Sequence, residues 1–566
     1  MRSELDEIPF TRFETRAPSE GELRSAYADV ERALRSARTD ADRRAALASW
    51  EELRRRVGTF GALARLRFRR DTADPKAREL RELADALSPL LLEEDARLKR
   101  ICLEADRRAD WSASVGAHAL ELWSADLVSF DPRVANEVLE EQRLVARYTE
   151  LIGSARIPFE GESRTLPMLS RFAMDPDRTR RYEAEKARWA WFDANREELD
   201  ANFDELVAVR TWMARTLGFD DYVGLSYVRR RRIGYDREDV ARFRDSVRQV
   251  VVPLCVQLAR EQAERLGVDG LRLWDEKVHG KSGEAAPLGA EADLVQGVIE
   301  GLAALSPRIG EFARRMRDRG LLDLDSRPGK SVGGFCTYLW DYETPFVFAN
   351  FNGTRHDVRV LVHEYGHAWQ HQASRPLAFT DYESCTSETA EVHSMSLEFL
   401  IWPELERVFG EGVTAFRRVH LEEQLFFLPY GCAIDHFQHE VYSRPDATPA
   451  ERHGMWLDCE RQYLPWRDHG DLPHSRMGGF WQQQQHVYSW PFYYVDYVLA
   501  ATCALQFWAR SLDDHDGAVA DYIALCERGG SLPFADLVAS AGLTSPFEKG
   551  CLDRVVGRAR GWLAAR

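Results

Sequence analysis

Two histidines and a glutamate in the middle of the chain have a spacing that suits metal binding. Residues His363 to His367 read HEYGH. On a helix, residues four positions apart share a face, so both imidazoles could bind one metal ion. Glu364 would project beside them, within reach of a water molecule on that ion. The apolar residues before His363 indicate a core helix, which Asp357 could cap.

A metal site that activates water needs a third protein ligand and an open position. Downstream of the motif, residues 387–398 form a strong helix candidate in which Glu388, Glu391 and Glu398 share one face. One of them would bind the metal, and the others would orient the ligand histidines. Spacing alone does not choose among the three. The alternative interpretation of the whole group is a buried polar network without a metal.

Four other histidines are weaker candidates. His371 lies one turn after the motif and could be a ligand, but a surface or supporting position is favoured. His393 has apolar neighbours and is predicted to be a packed core histidine. His436 and His439 are three residues apart and lack the HEYGH spacing, so we do not expect them to bind metal.

Composition narrows the class of protein. The 566 residues include 76 basic and 92 acidic ones, for a net charge of -16. Such a surface repels nucleic acid and anionic membranes, so neither is expected as a partner. There is no apolar signal segment and no long apolar run, and the nine cysteines include no C-x-x-C pair, which predicts a cytoplasmic protein with reduced thiols. The short basic run Arg229–Arg232 is predicted to be a solvated or ion-paired face.

Helical periodicity dominates the sequence, which predicts a mostly α fold. We expect an N-terminal helical domain over 1–170 and a catalytic domain over 171–566. Residues 154–168 are a candidate linker or hairpin, and the polar, glycine-rich residues 279–293 are a predicted surface loop. Two short strands are expected within 335–340 and 345–353, just before the HEYGH helix. The predicted N-terminal helical stretches are 20–58, 76–110, 114–128 and 132–153.

Several sequence blocks in order resemble the oligoendopeptidase F branch of the thimet oligopeptidase family. They cover about residues 330–505 and read GFCTYLWDYETPFVFANFNGT, VLVHEYGHAWQ, SETAEVHSMSLEFL, YLPWRDHG and GGFWQQQQHVYSWPFYYVDYVLA. The resemblance implies one zinc ion per chain, Glu391 as the third ligand, and a helical shell around a deep channel that admits short peptides. It also implies substrate-side roles for His486 and Tyr497. The local spacing leaves Tyr493 and Tyr494 as alternatives to Tyr497.

The predicted function is hydrolysis of internal peptide bonds in short, unstructured oligopeptides. Zinc would activate a water molecule, and Glu364 would act as general base. His486 and Tyr497 would donate hydrogen bonds to the oxyanion. The strand before the metal helix would offer an exposed edge to the peptide, with Phe348, Ala349 and Asn350 as substrate-binding residues.

Two other functions stay open at this point. A peptidyl-dipeptidase or carboxypeptidase could use the same zinc chemistry with a cationic group for the substrate's terminal carboxylate. A helical peptide-binding protein with a structural metal is the alternative outside enzymes. The sequence also leaves open whether the chain forms a homo-oligomer.

Overall fold

The computed structural model describes residues 7–280, 286–377 and 379–565. Helices dominate these residues, as predicted. In the first half of the chain the α-helices are α1 (Glu20–Ser36), α2 (Asp40–Arg70), α3 (Pro75–Leu103), α4 (Arg108–Val115), α5 (Ala117–Val128), α6 (Ala135–Ser154), α7 (Leu166–Ser170), α8 (Arg178–Ala194), α9 (Arg196–Thr216), α10 (Tyr222–Arg229), α11 (Arg237–Ser246) and α12 (Val252–Leu266).

The second half contains the HEYGH helix, α15, and the helix with the three candidate glutamates, α17. Its α-helices are α13 (Glu291–Leu305), α14 (Pro307–Asp318), α15 (Arg355–Ser374), α16 (Thr380–Glu383), α17 (Ser387–Leu400), α18 (Glu406–Phe409), α19 (Val413–Ser443), α20 (Pro449–Tyr463), α21 (Gln485–Ser489), α22 (Tyr494–Ser511), α23 (His515–Arg528), α24 (Phe534–Ser540) and α25 (Cys551–Ala564).

Local sequence signals explain where the first helices begin. Ser19 and Glu22 form a capping box at the start of α1, and Thr39 and Asp42 form another at the start of α2. Each box satisfies backbone N–H groups that have no partner inside the helix. The predicted stretch 20–58 is therefore two helices, because the second capping box starts a new one.

The predicted linker or hairpin at 154–168 is a hairpin. Strands β1 (Ile157–Phe159) and β2 (Glu162–Arg164) pair antiparallel. The two turn residues, Glu160 and Gly161, both have positive φ, which is typical of the tight turns that join such strands. Of the predicted loop 279–293, residues 281–285 lie outside the described residues, and α13 begins at Glu291.

A three-stranded sheet lies directly before α15 in the sequence. It contains β3 (Leu322–Asp325), β4 (Phe335–Leu339) and β5 (Thr344–Phe351), in the order β3-β5-β4. The sequence predicted β4 and β5 but missed β3, which is short and half acidic. Because β5 is the central strand, parallel to β3 and antiparallel to β4, both of its edges are paired. The prediction that β5 has an exposed edge is wrong. The edge strands are β3 and β4, and β4 is the one that directly precedes β5 in the sequence.

The chain divides into two compact units, each built from three separate stretches. One comprises Met1–Leu127, Ala286–Val413 and Cys503–Leu543, and contains the sheet, α15 and α17. The other comprises Val128–Ala285, Thr414–Thr502 and Thr544–Arg566. The division of the sequence at residue 170 stays a prediction.

The core of the first unit includes a dense apolar cluster among its N-terminal helices, where the indoles of Trp50, Trp111 and Trp123 are buried. All nine cysteines are free, as predicted. In the part of the chain that the structure describes, no helix has both the length and the apolar character needed to cross a membrane.

Candidate metal centre

The helix that carries HEYGH begins with a strong capping arrangement. Thr354 is the N-cap residue, and Asp357 lies three positions later, inside the first turn. Its Oδ2 atom accepts hydrogen bonds from the backbone N–H groups of Asn352, Gly353 and Thr354, at 2.8, 2.6 and 3.2 Å. Asp357 therefore caps the helix as predicted, but from its third position.

Helices α15 and α17 pack closely because the motif contains a glycine. A Cβ atom at Gly366 would lie 2.5 Å from the Cα atom of Ser394 and 2.8 Å from the carbonyl oxygen of His393. No side chain fits at those distances without a shift of the backbone. The glycine between the two histidines therefore lets α17 come near enough for its glutamates to reach them.

Three side chains from these two helices form a group that could hold a metal ion: His363, His367 and Glu391. The Oε2 atom of Glu391 lies 3.3 Å from Nε2 of His363 and 3.6 Å from Nε2 of His367. The imidazole rings are 4.9 Å apart and nearly perpendicular. Two imidazole nitrogens and one carboxylate oxygen form a donor set that suits zinc.

Hydrogen bonds from α17 orient two of these three side chains. Nδ1 of His363 lies 2.8 Å from Oε1 of Glu398, so an N–H on Nδ1 donates to the carboxylate. The lone pair on Nε2 is then available to a metal ion. The hydroxyl of Ser394 donates to Oε2 of Glu391 at 3.0 Å. The sequence predicted the supporting role for one of the glutamates; it did not single out Ser394, whose spacing of three residues from Glu391 was the available signal.

The electrostatics of the group favour a positive charge. Burial disfavours protonation of His363, but its hydrogen bonds with Glu391 and Glu398 outweigh burial and raise its pKa well above the usual range. For His367 burial dominates and lowers the pKa to about 4. A cation held by His363, His367 and Glu391 would supply the positive charge that the carboxylates of Glu391 and Glu398 attract.

Glu364 is buried beside this group, on the same helix as the two histidines. Its Oε2 atom has no hydrogen-bond partner among the described residues. Burial raises its pKa to about 7. A buried carboxylate without a partner is costly to a fold unless a cation or a substrate group offsets it. The group therefore fits a metal ion, with Glu364 next to it.

A short glycine segment before β4 passes close to Glu364. A Cβ atom at Gly334 would lie 3.6 Å from Oε1 of Glu364. The side-chain amide of Asn350 donates to the carbonyl oxygens of Ser331 and Gly333, at 2.9 and 2.8 Å, and so fixes this segment. Asn350 thus has a structural role that the sequence did not suggest.

The other two predicted substrate-binding residues on β5, Phe348 and Ala349, are buried. The ring of Phe348 stacks on Phe335 of β4, with ring centroids 4.8 Å apart. The carbonyl oxygen of Ala349 accepts a hydrogen bond from Nζ of Lys330 at 2.6 Å. Both residues therefore have contacts within the protein. Their direct contact with substrate stays a prediction.

The weaker candidates in the first unit lie outside the three-residue group. Glu388 is buried one turn before Glu391 on α17. The ring of His371 stacks on Tyr338 of β4, with centroids 4.9 Å apart. His393 is fully buried, as predicted, and its carbonyl oxygen accepts a hydrogen bond from the hydroxyl of Tyr522.

The second unit contains the remaining predicted residues. His436 and His439 contact protein groups there, Tyr463 in the first case and Arg244 in the second. The structure brings His486 of α21 together with three tyrosines at the start of α22, and all four side chains are partly exposed. The ring centroid of His486 lies 5.6, 5.1 and 6.1 Å from those of Tyr493, Tyr494 and Tyr497, respectively.

Comparison with known proteins decides the family. The profile of peptidase family M3 matches residues 171–556, and that of the peptidase M3 N-terminal domain matches residues 10–130. This chain belongs to peptidase family M3. M3 is a metallopeptidase family, and the match confirms the resemblance that the sequence blocks gave. The HEYGH helix and α17 both lie inside the first match.

Two solved structures match this M3 chain over nearly its whole length, and one curated relative matches it over less than half. A crystal structure provisionally named oligoendopeptidase F has a TM-score of 0.94 and 41% identity, covering 99% of both chains. Pz peptidase A, solved with an inhibitor, has a TM-score of 0.94 and 38% identity, covering 98% of this chain and 99% of its own. Oligopeptidase PepF of Bacillus subtilis (strain 168) is 21% identical over 265 residues, which span 44% of this chain and 38% of PepF.

The close approach at Gly366 leads to a prediction about this M3 chain. Gly366→Ala should separate α15 from α17 and weaken metal binding, because the new methyl group meets backbone atoms that cannot rotate away. The affinity for added zinc is measured by competition with a chelator. Gly454→Ala on α20 is the control, because a Cβ atom there has nothing within 4 Å. Unchanged zinc affinity in Gly366→Ala would show that the site tolerates a wider helix separation.

Proposed function

We propose that the chain is a zinc-dependent endopeptidase that hydrolyses internal bonds of short, unstructured peptides. The observation that carries the proposal is the buried carboxylate of Glu364, next to the group formed by His363, His367 and Glu391. Its Oε2 atom has no hydrogen-bond partner among the described residues. Membership of family M3 and the likeness to Pz peptidase A support it. A structural metal would need no such carboxylate beside it.

In this proposal the residues of the first unit divide the chemistry among them. A zinc ion held by His363, His367 and Glu391 would supply a Lewis acid for a water molecule and for the peptide carbonyl. Glu364 accepts the proton of the attacking water at its free oxygen and later delivers it to the leaving amine. In the metal-free protein burial raises the pKa of Glu364 to about 7, and a cation held nearby would favour the charged carboxylate that accepts the proton.

We assign peptide binding to the edge strand β4. The sheet order gives β4 a single paired neighbour, so its outer edge can hydrogen-bond an extended peptide. Gly334, directly before β4, adjoins Glu364, which connects that edge to the catalytic carboxylate. Main-chain recognition of this kind tolerates many side chains and requires a substrate whose own backbone is unpaired.

We assign stabilisation of the oxyanion to His486 and Tyr497, with Tyr493 and Tyr494 as the alternatives. The support is the resemblance of the aromatic block to the oligoendopeptidase F branch and the grouping of these partly exposed side chains in one cluster. A hydroxyl and an imidazole can each donate a hydrogen bond to a developing oxyanion.

The hydrogen bond between Glu398 and His363 should strengthen zinc binding. Glu398→Gln keeps an acceptor for Nδ1 of His363 but removes the charge that makes the imidazole a better ligand. We expect zinc affinity to fall by about 10- to 100-fold. Glu388→Gln, at another buried glutamate of the same helix, is the matched control. Equal affinities for the two variants and the unaltered protein would contradict a supporting role for Glu398.

The substrate class is tested with three substrates of different compactness. A decapeptide blocked at both ends should be cleaved internally, and a compact folded protein should stay intact, because its backbone is already paired and its unfolding costs several kcal/mol (about 5–15). A chelator should abolish cleavage and added zinc should restore it. Internal cleavage of the blocked peptide excludes an exopeptidase. Equal cleavage of a long denatured chain would point to an open cleft rather than a channel that limits size.

A further inference from the structure

Four residues, Trp490 to Tyr493, join α21 to α22 in the second unit. His486 lies before this connection, and Tyr497 lies in the first turn of the helix after it. The backbone angles of these four residues therefore set the direction in which α22 leaves α21, and with it the placement of Tyr497 relative to His486. A small change there would move the cluster apart.

One residue of the connection, Phe492, has an unfavourable backbone conformation. Its φ is 63°, in the left-handed region that side chains with a Cβ atom rarely adopt. Such a conformation persists only where surrounding contacts determine it. The backbone N–H of Phe492 donates to Oε1 of Gln438 at 2.9 Å, and its carbonyl oxygen accepts from Nη2 of Arg232 at 2.6 Å. Both backbone groups are thus held by side chains that are distant in the sequence, Gln438 of α19 and Arg232 of the connection between α10 and α11.

The side chain of Phe492 is held as firmly as its backbone. It is fully buried. Its ring centroid lies 4.9 Å from that of His439 and 5.7 Å from that of Tyr442, both on α19, and 6.2 Å from that of Tyr227 on α10. These contacts would be lost if the backbone returned to a negative φ, so they oppose that change.

The basic run that sequence analysis singled out supplies the other contacts of the connection. It is ion-paired, as one of the two predicted interpretations had it. Nη2 of Arg232 also donates to Oδ1 of Asp496 at 2.7 Å, in the first turn of α22, and both side chains are fully buried. Nε of Arg230 donates to the carbonyl oxygen of Pro491 at 2.9 Å, and its guanidinium lies 4.9 Å from the centre of the Tyr493 ring.

We propose that Arg232 is a positioning residue that, by joining the carbonyl of Phe492 to the carboxylate of Asp496, fixes the start of α22 and places Tyr497 beside His486. The proposal rests on the proposed function, in which Tyr497 and His486 stabilise the oxyanion. Asp496 directly precedes Tyr497, so a contact at Asp496 acts on the adjacent residue of the same helical turn. Arg232 itself need not contact substrate.

The test is a double-mutant cycle between Arg232→Met and Tyr497→Phe, with kcat and KM measured on a blocked peptide in zinc-loaded enzyme. Alone, Arg232→Met should lower kcat by up to about 10², as a misplaced catalytic group does, with little change in KM. Tyr497→Phe should lower kcat by about 10²–10³. In the Tyr497→Phe background, Arg232→Met should cost little more, because the group that it places is already gone.

Two further variants separate positioning from stability. Arg232→Met leaves Asp496 buried without its main partner and could unfold the chain. Gln438→Met removes the acceptor for the N–H of Phe492 without changing a charge, and it should lower kcat in the same non-additive way. Arg181→Met is the matched control: Arg181 is a buried arginine of the same unit that pairs with Asp275, and its loss should lower Tm but not kcat. Arg232→Lys, which keeps the charge, should restore part of kcat.

Each result decides between the two proposals. If Tyr497→Phe lowers kcat and the cycle is additive, or if Arg232→Met lowers Tm alone as Arg181→Met does, the positioning role is overturned and the oxyanion assignment stands. If Tyr497→Phe and His486→Gln both keep kcat, the oxyanion assignment is wrong and the positioning role falls with it. Non-additive losses for both Arg232→Met and Gln438→Met support it.

Discussion

Glu364→Gln is expected to keep the zinc ion and lose nearly all turnover. Loss of a general base typically costs about 10²–10⁴ in rate. The amide has almost the shape of the carboxylate, so the two histidines and Glu391 should bind zinc as before. The measurements are kcat on a blocked peptide and the zinc content of the same sample.

Stability gives an independent readout for the same variant. In the metal-free protein the carboxylate of Glu364 is buried, and burial raises its pKa to about 7. Replacing it with a neutral amide removes the desolvation cost of the charge, so Tm of the metal-free variant should be equal or higher. Glu404→Gln, at a glutamate that pairs with Arg407 away from the site, is the control and should keep full turnover. Zinc-loaded Glu364→Gln with normal kcat would exclude Glu364 as the base.

The sequence predicted the parts of the metal centre that depend on helix periodicity. The spacing of His363 and His367 places them on one face whatever the rest of the fold does, and the same holds for the glutamates of α17. Which glutamate meets the histidines depends on how two helices pack, and periodicity carries no information about that. Gly366 allows the short distance between α15 and α17. A glycine inside a core helix is a sequence signal for such a close approach, but it does not say which helix approaches.

The small sheet shows where prediction from a single sequence stops. Aromatic and β-branched runs predicted β4 and β5, but the order of strands depends on β3, a four-residue strand whose partner lies more than 20 residues away. Without β3, the longer strand β5 was assigned the free edge. Strand β5 is nearly completely buried because its central position pairs both of its edges and because α15 packs against it.

The cluster around His486 has a similar explanation. The sequence of the aromatic block does not separate residues that pack from residues that are partly exposed, since both are Trp, Phe or Tyr at helical spacing. In the structure the left-handed conformation of Phe492 makes the difference: its ring is buried, and the neighbouring Tyr493 and Tyr494 are partly exposed. A positive φ at a phenylalanine has no sequence signal, because tertiary contacts impose it.

The second large effect concerns Glu391, the proposed third zinc ligand. Glu391→Gln should weaken zinc binding by more than the about 10- to 100-fold that the loss of a supporting hydrogen bond costs, because it removes a charged ligand itself. Oε2 of Glu391 is the carboxylate oxygen that lies 3.3 and 3.6 Å from the two Nε2 atoms. An amide oxygen at the same place carries no net charge to offset that of the ion.

Glu388→Gln is the matched comparison, since Glu388 is buried on the same helix one turn earlier and the substitution is identical. Zinc affinity of both variants is measured by chelator competition, and kcat is measured with zinc in excess. We expect Glu391→Gln to lose zinc and to regain part of its activity as zinc is added, and Glu388→Gln to retain zinc. If Glu388→Gln releases zinc and Glu391→Gln does not, Glu388 is the ligand, one helical turn earlier. Zinc affinity should fall strongly only when the substitution removes the carboxylate that binds the ion.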